Sequence, residues 1–143
     1  MRVLIVDDSP VIRSIIEGAL RHADPDLAKP LHAASGIDAL AELDRCSDEH
    51  LSLDLILCDL HMPRMSGLDF LREMKRRNLA PGVPVVMVTA DDTDLDIVQA
   101  ISAGAQGYLT KPFTQNQIQI CVASQRLAAS TPSGTKGILG NDR

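Results

Sequence analysis

The sequence predicts an α/β fold in which a five-stranded parallel sheet has helices on both faces. Short apolar runs alternate with amphipathic segments along the 143 residues, and the apolar runs are nearly free of charge. That alternation is typical of strands buried on both faces between helices. The chain is 45% hydrophobic and 23% charged, close to the globular average. Its length fits one domain with a single core.

Five short apolar runs are predicted as strands. In chain order they are Arg2–Val6, Leu31–Ala34, Leu53–Cys58, Val83–Val88 and Gly107–Leu109. The fourth run carries the strongest strand signal because valine dominates it and nothing in it is charged. The second carries the weakest signal.

The helices between these strands are predicted from capping residues and from apolar residues at helical spacing. Their predicted starts are Ser9 followed by Pro10, Ser35 with Asp38, Ser66 with Asp69, Asp91 or Asp92, and Thr114 with Gln117. Their predicted ends, where the sequence marks one, are before Ala23, near Leu43, at Gly104 and near Ala129. The fourth helix carries Leu95, Val98 and Ile101 at helical spacing.

Charge and composition exclude several classes of protein. The formal charge is -5, and the basic residues are scattered except for a group in 72–77 near a predicted helix end, where the helix dipole favours positive charge. We therefore expect no direct nucleic-acid binding. Apolar stretches are too short to cross a bilayer, and the N-terminus lacks a secretory pattern, so we expect a cytoplasmic protein. Three cysteines without C-x-x-C spacing predict reduced thiols.

Polar side chains lie at or next to the carboxyl ends of the predicted strands. They are Asp7, Asp8, Asp59, Thr89, Tyr108 and Lys111. Because the carboxyl ends of parallel strands meet at one edge of a sheet, we expect these residues to line one crevice. Three carboxylates gathered there repel one another unless a cation lies among them, and an oxygen-only set of ligands favours Mg²⁺.

Carboxylates, magnesium and a lysine together suit phosphoryl transfer to an aspartate. Asp59 is the predicted acceptor because it stands alone at its strand end and a turn follows it. Asp7 and Asp8, adjacent in the chain, are predicted to hold the ion. Lys111 and Thr89 offer donors for the oxygens of the phosphoryl group.

Four motifs at these strand ends resemble one family. They are Val-Asp-Asp-Ser in 6–9, Asp59 with Met-Pro and Ser-Gly-Leu-Asp in 59–69, Val-Thr-Ala in 88–90 and Gly-Tyr-Leu-Thr-Lys-Pro-Phe in 107–113. Over roughly residues 1–128 the chain resembles the receiver domain of bacterial two-component response regulators, of the single-domain chemotaxis type. The resemblance implies a flavodoxin-like fold with strand order 2-1-3-4-5.

The resemblance also implies a role for each site residue. Asp59 matches the phosphoacceptor, Asp8 a direct magnesium ligand and Asp7 its water-mediated helper. The backbone carbonyl of His61 would complete the protein ligands of the ion, and Lys111 matches the lysine that contacts the phosphate. A further hypothesis is that the imidazole of His61 overhangs the site and affects attack of water on the acyl phosphate.

Switching is implied by two further matches. Thr89 matches the hydroxyl that moves toward the phosphoryl group, and Tyr108 matches the aromatic side chain that changes rotamer with it. The surface expected to change is formed by the fourth helix, the fifth strand and the fifth helix. The peptide before Pro112 is expected to be cis.

The predicted partners are a histidine kinase or phosphotransfer protein and a downstream protein target, with no membrane partner. We expect a monomer or a phosphorylation-dependent dimer, and no enzymatic activity beyond self-phosphorylation and slow self-dephosphorylation. A flexible tail is predicted over 129–143. One alternative is a truncated receiver of a longer DNA-binding regulator. Another is an aspartyl-nucleophile phosphohydrolase, which needs a D-x-D arrangement where this chain has Asp7-Asp8-Ser9-Pro10.

Overall fold

A computed structural model describes residues 1–91 and 93–130, and strands and helices alternate along them. The strands are β1 (Val3–Val6), β2 (Leu31–Ala33), β3 (Leu55–Asp59), β4 (Val85–Thr89) and β5 (Gly107–Thr110). The helices are α1 (Pro10–Ala23), α2 (Gly36–Asp48), α3 (Gly67–Arg76), α4 (Leu95–Ser102) and α5 (Gln115–Ser130). The predicted five pairs of strand and helix are confirmed.

The five strands form one parallel sheet in the order β2-β1-β3-β4-β5, which confirms the predicted fold and strand order. Register aligns the carboxyl ends of the central strands. Val6 lies opposite both Ala33 and Cys58, and Asp59 lies opposite Val88. The residues that follow β1 and end β3 therefore reach the same edge.

Hydrophobic residues of the strands pack on both faces of the sheet, because successive side chains alternate between the faces. Leu4, Ile56 and Met87 belong to one buried cluster, which α2, α3 and α4 cover. The second buried cluster lies on the opposite face, where Ile16 of α1 and Ile118 of α5 join it. Helices on both faces are thus confirmed.

Four of the predicted helix caps are confirmed. The side-chain oxygens of Ser9, Ser35, Ser66 and Thr114 accept hydrogen bonds from the backbone N–H groups of Ile12, Asp38, Asp69 and Gln117 at 3.0–3.2 Å. At α5 the capping box is complete, since the Thr114 N–H also donates to Gln117 Oε1 at 2.7 Å. These caps are local interactions, which a sequence pattern can reveal.

The predicted cap of α4 is wrong. The Asp94 carboxylate, not that of Asp91, caps this helix by accepting from the Asp96 N–H at 2.9 Å. The Asp91 carboxylate instead accepts from the N–H and the hydroxyl of Thr93 at 2.9 and 2.6 Å. Because Asp91 and Thr93 form this turn, α4 begins only at Leu95. Asp92, the other predicted cap, lies outside the described residues.

Several predicted boundaries also move. Helix α2 continues past Leu43 to Asp48, which buries Cys46. Strands β3 and β4 begin two residues later than predicted, and Pro84, which has no N–H for a ladder hydrogen bond, immediately precedes β4. Helix α5 reaches Ser130, and the rest of the predicted tail lies outside the described part of the chain. Among residues 1–91 and 93–130, no helix is both long and apolar enough to span a bilayer.

Candidate functional site

The carboxyl edge of the sheet gathers the predicted acidic residues. Asp7 follows β1 and is 1% exposed, while Asp59 ends β3 and is 7% exposed. Asp8, beside Asp7, is exposed to solvent. Each of the three side chains offers a carboxylate oxygen that lies within 4.8 Å of the other two. Three negative charges thus meet in one small volume.

Lys111 reaches this carboxylate cluster from beyond β5. Its Nζ lies 3.0 Å from Asp7 Oδ2 and 3.4 Å from Asp59 Oδ2. Its backbone N–H donates to the Thr89 carbonyl at 2.7 Å, which keeps it beside the end of β4. The Lys111-Pro112 peptide is cis, as expected. The ammonium group is therefore placed to contact an anion bound at Asp59.

The charges in the cluster shift two pKa values. Burial raises the pKa of Asp59, the Lys111 ammonium opposes that rise and the Asp7 charge adds to it, so the pKa lies above its ordinary value. Burial tends to lower the pKa of Lys111, but its contacts with Asp7 and Asp59 outweigh burial and raise it. Lys111 therefore remains charged at neutral pH, and the cluster keeps an excess of negative charge.

The donor atoms fit a magnesium ion. Asp7, Asp8 and Asp59 offer only carboxylate oxygens, which Mg²⁺ prefers, and a divalent cation would relieve their mutual repulsion. The His61 N–H points to Asp59 Oδ1 at 3.4 Å, so this loop adjoins the acceptor. The three carboxylates therefore form a candidate site for a divalent cation.

The side chain of His61 contacts a carboxylate outside the cluster of Asp7, Asp8 and Asp59. Its Nε2 forms an ion-paired contact with Asp94 Oδ2, and this hydrogen bond raises the pKa of His61 above its ordinary value. The imidazole is 57% exposed. Since Asp94 caps α4, the contact ties the loop after Asp59 to the start of that helix. The sequence-based hypothesis for this imidazole did not include Asp94.

The two predicted switch residues lie on adjacent strands. The Thr89 hydroxyl donates to the Asp91 carbonyl at 3.3 Å and accepts from the Asp91 N–H at 3.2 Å, so it faces the loop after β4. Tyr108 pairs with Met87 across the β4–β5 ladder and packs, half buried, against the core beneath α4. Thr89 thus ends β4, the strand next to β3 and Asp59, whereas Tyr108 lies on the edge strand β5.

Two residues that contact or adjoin the site residues were not predicted as part of the site. A Cβ atom at Gly67 would lie 2.2 Å from the Asp59 carbonyl oxygen, so only glycine lets α3 start this close to the end of β3. Arg13 Nη1 donates to the Asp7 carbonyl at 2.6 Å. Gly67 stands in a motif that the sequence analysis singled out, whereas no pattern in the sequence marks Arg13.

A parallel sheet of this order, with buried carboxylates and a lysine at its carboxyl edge, defines a phosphoacceptor domain of the receiver class. The sequence model of the response regulator receiver domain matches residues 3–123. The chain belongs to this family, which confirms the resemblance seen in its motifs. Receiver domains of this kind generally act as regulators rather than as enzymes.

Relatives include single-domain and longer proteins. The chain is 37% identical to chemotaxis protein CheY of Pseudomonas aeruginosa over 80% of this chain and 86% of that protein. It is 35% identical to the alkaline phosphatase synthesis transcriptional regulatory protein SphR of Synechococcus elongatus over 96% of this chain, but spans only 54% of SphR. The crystallised Vibrio cholerae chemotaxis protein CheY4 superimposes with a TM-score of 0.71 at 29% identity, covering 87% of this chain and 96% of that one.

Proposed function

We propose that this receiver accepts a phosphoryl group on Asp59 from a histidine kinase or a phosphotransfer protein. The observation that carries the proposal is the position of Lys111, whose ammonium bridges Asp7 and Asp59 inside a cluster of three carboxylates. Asp59 is the proposed acceptor because it is the last residue of the central strand β3. Its carboxylate lies close to Lys111 and to the predicted magnesium ligands Asp7 and Asp8. We place this exchange in the cytoplasm.

The transfer is a substitution at phosphorus. A carboxylate oxygen of Asp59 attacks the phosphorus in line while the bond to the donor nitrogen breaks, and the departing imidazole nitrogen keeps the electron pair and gains a proton. Asp7, Asp8, Asp59 and the His61 carbonyl would hold Mg²⁺, which when bound supplies positive charge against the phosphoryl oxygens. Lys111 shifts from Asp59 to one of these oxygens and neutralises part of their charge.

The proposed output is a change at the surface formed by α4, β5 and α5. The phosphoryl group brings roughly -1.5 to -2 charges and strong acceptor oxygens. Thr89 then exchanges its contacts with the Asp91 backbone for a phosphoryl oxygen, and Tyr108 turns toward the vacated space. Supporting this, α4 exposes apolar side chains that a downstream protein could cover: Leu95, Val98 and Ile101 are 78%, 63% and 43% exposed. The core side of the helix is formed by Ile97 and Ala100.

The proposal applies to both kinds of relative, the protein of similar length and the longer regulator. The relatives include a chemotaxis protein of similar length and a transcriptional regulator of which this chain spans 54%. In either setting the receiver is proposed to act through protein contacts, as a monomer or as a phosphorylation-dependent dimer. Its chemistry is limited to gaining a phosphoryl group and losing it slowly. The sequence does not favour a phosphohydrolase, because Ser9 follows Asp7-Asp8 where a D-x-D motif is needed.

Intact mass after incubation with Mg²⁺ and acetyl phosphate tests the proposal. We expect the wild type to gain the mass of one alkali-labile phosphoryl group, and Asp59→Asn to gain none. Asp48→Asn, an exposed aspartate on α2, serves as the matched control and should behave as the wild type. A wild type that stays unmodified while releasing phosphate from simple phosphomonoesters would instead favour the phosphohydrolase.

A further inference from the structure

A chain of polar side chains lies behind Asp7 and joins α1 to β2. Arg13 Nη1 donates to the Asp7 carbonyl at 2.6 Å, and Arg13 Nε donates to His32 Nδ1 at 3.2 Å. His32 Nε2 lies 2.7 Å from Glu17 Oε1. Glu17 Oε2 accepts from Arg21 Nε and Nη2 at 3.1 and 2.9 Å. This series of side-chain contacts begins at Asp7, a residue of the carboxylate cluster, and ends at Arg21 on the surface of α1.

Every polar group of Asp7 has a partner, and Arg13 supplies one of them. The Asp7 N–H donates to the Ala33 carbonyl at 3.1 Å. Its carboxylate accepts from the Ser9 N–H at 2.8 Å and from Lys111 Nζ at 3.0 Å. The carbonyl bonded to Arg13 belongs to the peptide that leads directly into Asp8. Arg13 therefore restrains the one peptide that connects two predicted magnesium-binding carboxylates.

The geometry of this contact requires the guanidinium group. One nitrogen donates to the Asp7 carbonyl while another donates to His32, so the planar group is fixed at two points. His32 Nδ1 accepts from Arg13 Nε, and the other ring nitrogen, Nε2, contacts Glu17. His32 and Glu17 thus hold Arg13 from the side opposite the site.

We propose that Arg13 is a positioning residue for the magnesium site, itself held in place by His32 and Glu17. This inference rests on the proposed function. Without Arg13 the peptide between Asp7 and Asp8 can rotate, and the two carboxylates lose part of their preset geometry. Residues that form hydrogen bonds to metal ligands without contacting the metal themselves typically contribute roughly 10- to 100-fold to metal affinity.

Titration calorimetry of the full chain with MgCl₂ tests the proposal. We expect Arg13→Met to bind Mg²⁺ roughly tenfold more weakly than the wild type. Arg13→Lys, which can reach the carbonyl but cannot span it and His32 together, should lie between the two. Arg21→Met is the matched control because Arg21 also contacts Glu17 but not Asp7, and its affinity should stay within about twofold of the wild type.

A spectroscopic measurement separates positioning from a general loss of stability. We expect the carbonyl ¹³C signal of Asp7 in the metal-free protein to shift in Arg13→Met and to stay unchanged in Arg21→Met, because Arg13 donates to that carbonyl whereas Arg21 donates to Glu17. Unfolding curves of all variants give their stability independently. If Arg13→Met does not fold, the comparison is made with Arg13→Lys alone.

Wild-type affinity in folded Arg13→Met, or in Arg13→Lys where Met does not fold, would overturn the inference. So would an equal loss of affinity in Arg21→Met. Asp8→Asn distinguishes this outcome from failure of the proposed function. If the wild type and Asp8→Asn bind Mg²⁺ alike, the magnesium site itself is wrong. If Asp8→Asn loses affinity while the Arg13 variant keeps it, only the role of Arg13 is wrong.

Discussion

Asp59 combines deep burial with a neighbouring like charge, and this combination makes the metal-free site electrostatically unfavourable. Burial and the Asp7 charge together outweigh the attraction of Lys111, so the pKa of Asp59 is raised in the folded protein. The same excess of negative charge is what a divalent cation relieves. A bound divalent cation would therefore stabilise the charged form of Asp59, the proposed acceptor, in a site where that charge is otherwise unfavourable.

A pH dependence of stability follows from the raised pKa of Asp59. Between the unfolded value, about 3.9, and the higher folded value, the folded protein binds more protons, so its stability falls as pH rises through this interval. Asp59→Asn should remove that fall and stabilise the metal-free protein at neutral pH by on the order of 1 kcal/mol. Urea unfolding in EDTA across this pH range measures it. A variant less stable than the wild type at pH 7 would contradict the electrostatic explanation.

Gly67 gives a second prediction at the residue scale. A Cβ atom there would lie 2.2 Å from the Asp59 carbonyl oxygen, which is backbone and cannot move aside without displacing β3. We expect Gly67→Ala to lower the unfolding free energy by about 2 kcal/mol or more and to weaken Mg²⁺ binding.

Gly18→Ala is the control for this substitution. Gly18 lies inside α1, and a Cβ atom there would meet open space, with nothing beyond the backbone of its own helix within 4 Å. Alanine there should stabilise the protein by about 0.5–1 kcal/mol through its higher helix propensity. Thermal unfolding of the two variants side by side measures both effects, and similar stability of the two would show that the close approach at Gly67 has no energetic cost.

At the scale of elements, α4 links the acceptor loop to the proposed output surface. Its cap Asp94 accepts from the Asp96 N–H at 2.9 Å and also pairs with His61. Its outer face carries Leu95, Val98 and Ile101, whereas Ile97 and Ala100 face the core. The start of the helix is therefore tied to the site, and its exposed face is apolar.

Two substitutions separate the cap of α4 from its contact with His61. Asp94→Ala removes both interactions and should lower the unfolding free energy by about 1 kcal/mol. Asp94→Asn keeps a capping oxygen and should recover most of that loss, while the His61 imidazole loses its charged partner and its pKa falls toward the ordinary value. Unfolding curves and NMR titration of His61 provide the two readouts. An unchanged titration in Asp94→Asn would show that the pair does not persist in solution.

The start of each element could be predicted wherever the signal is local. Ser9, Ser35, Ser66 and Thr114 cap the helices predicted from them, because a cap bonds an N–H only three residues away. The start of α4 could not be predicted in this way. Three acidic residues that could act as caps stand close together there, and the turn closed by Asp91 and Thr93 selects Asp94.

At the scale of the whole molecule, magnesium should be coupled to folding, since only the folded chain brings the three carboxylates together. We expect Mg²⁺ at about 100 times its dissociation constant to raise the unfolding free energy by about 2.7 kcal/mol. Asp8→Asn should lose most of this gain. Thermal unfolding with Mg²⁺ and with EDTA, at fixed ionic strength, measures the difference, and an equal response of the two proteins would place the ion elsewhere.

The alternation of strands and helices, and the polar residues at the strand ends, could be read directly from the chain, because hydrophobic periodicity and capping act over a few residues. The meeting of Lys111 with Asp7, 104 residues apart in the chain, depends on how β5 and β1 are placed in the sheet. The contact of Arg13 with His32, the raised pKa of Asp59 and the exposed face of α4 depend likewise on how other distant segments pack together. Each of these properties arises from packing between distant segments, which no local pattern encodes.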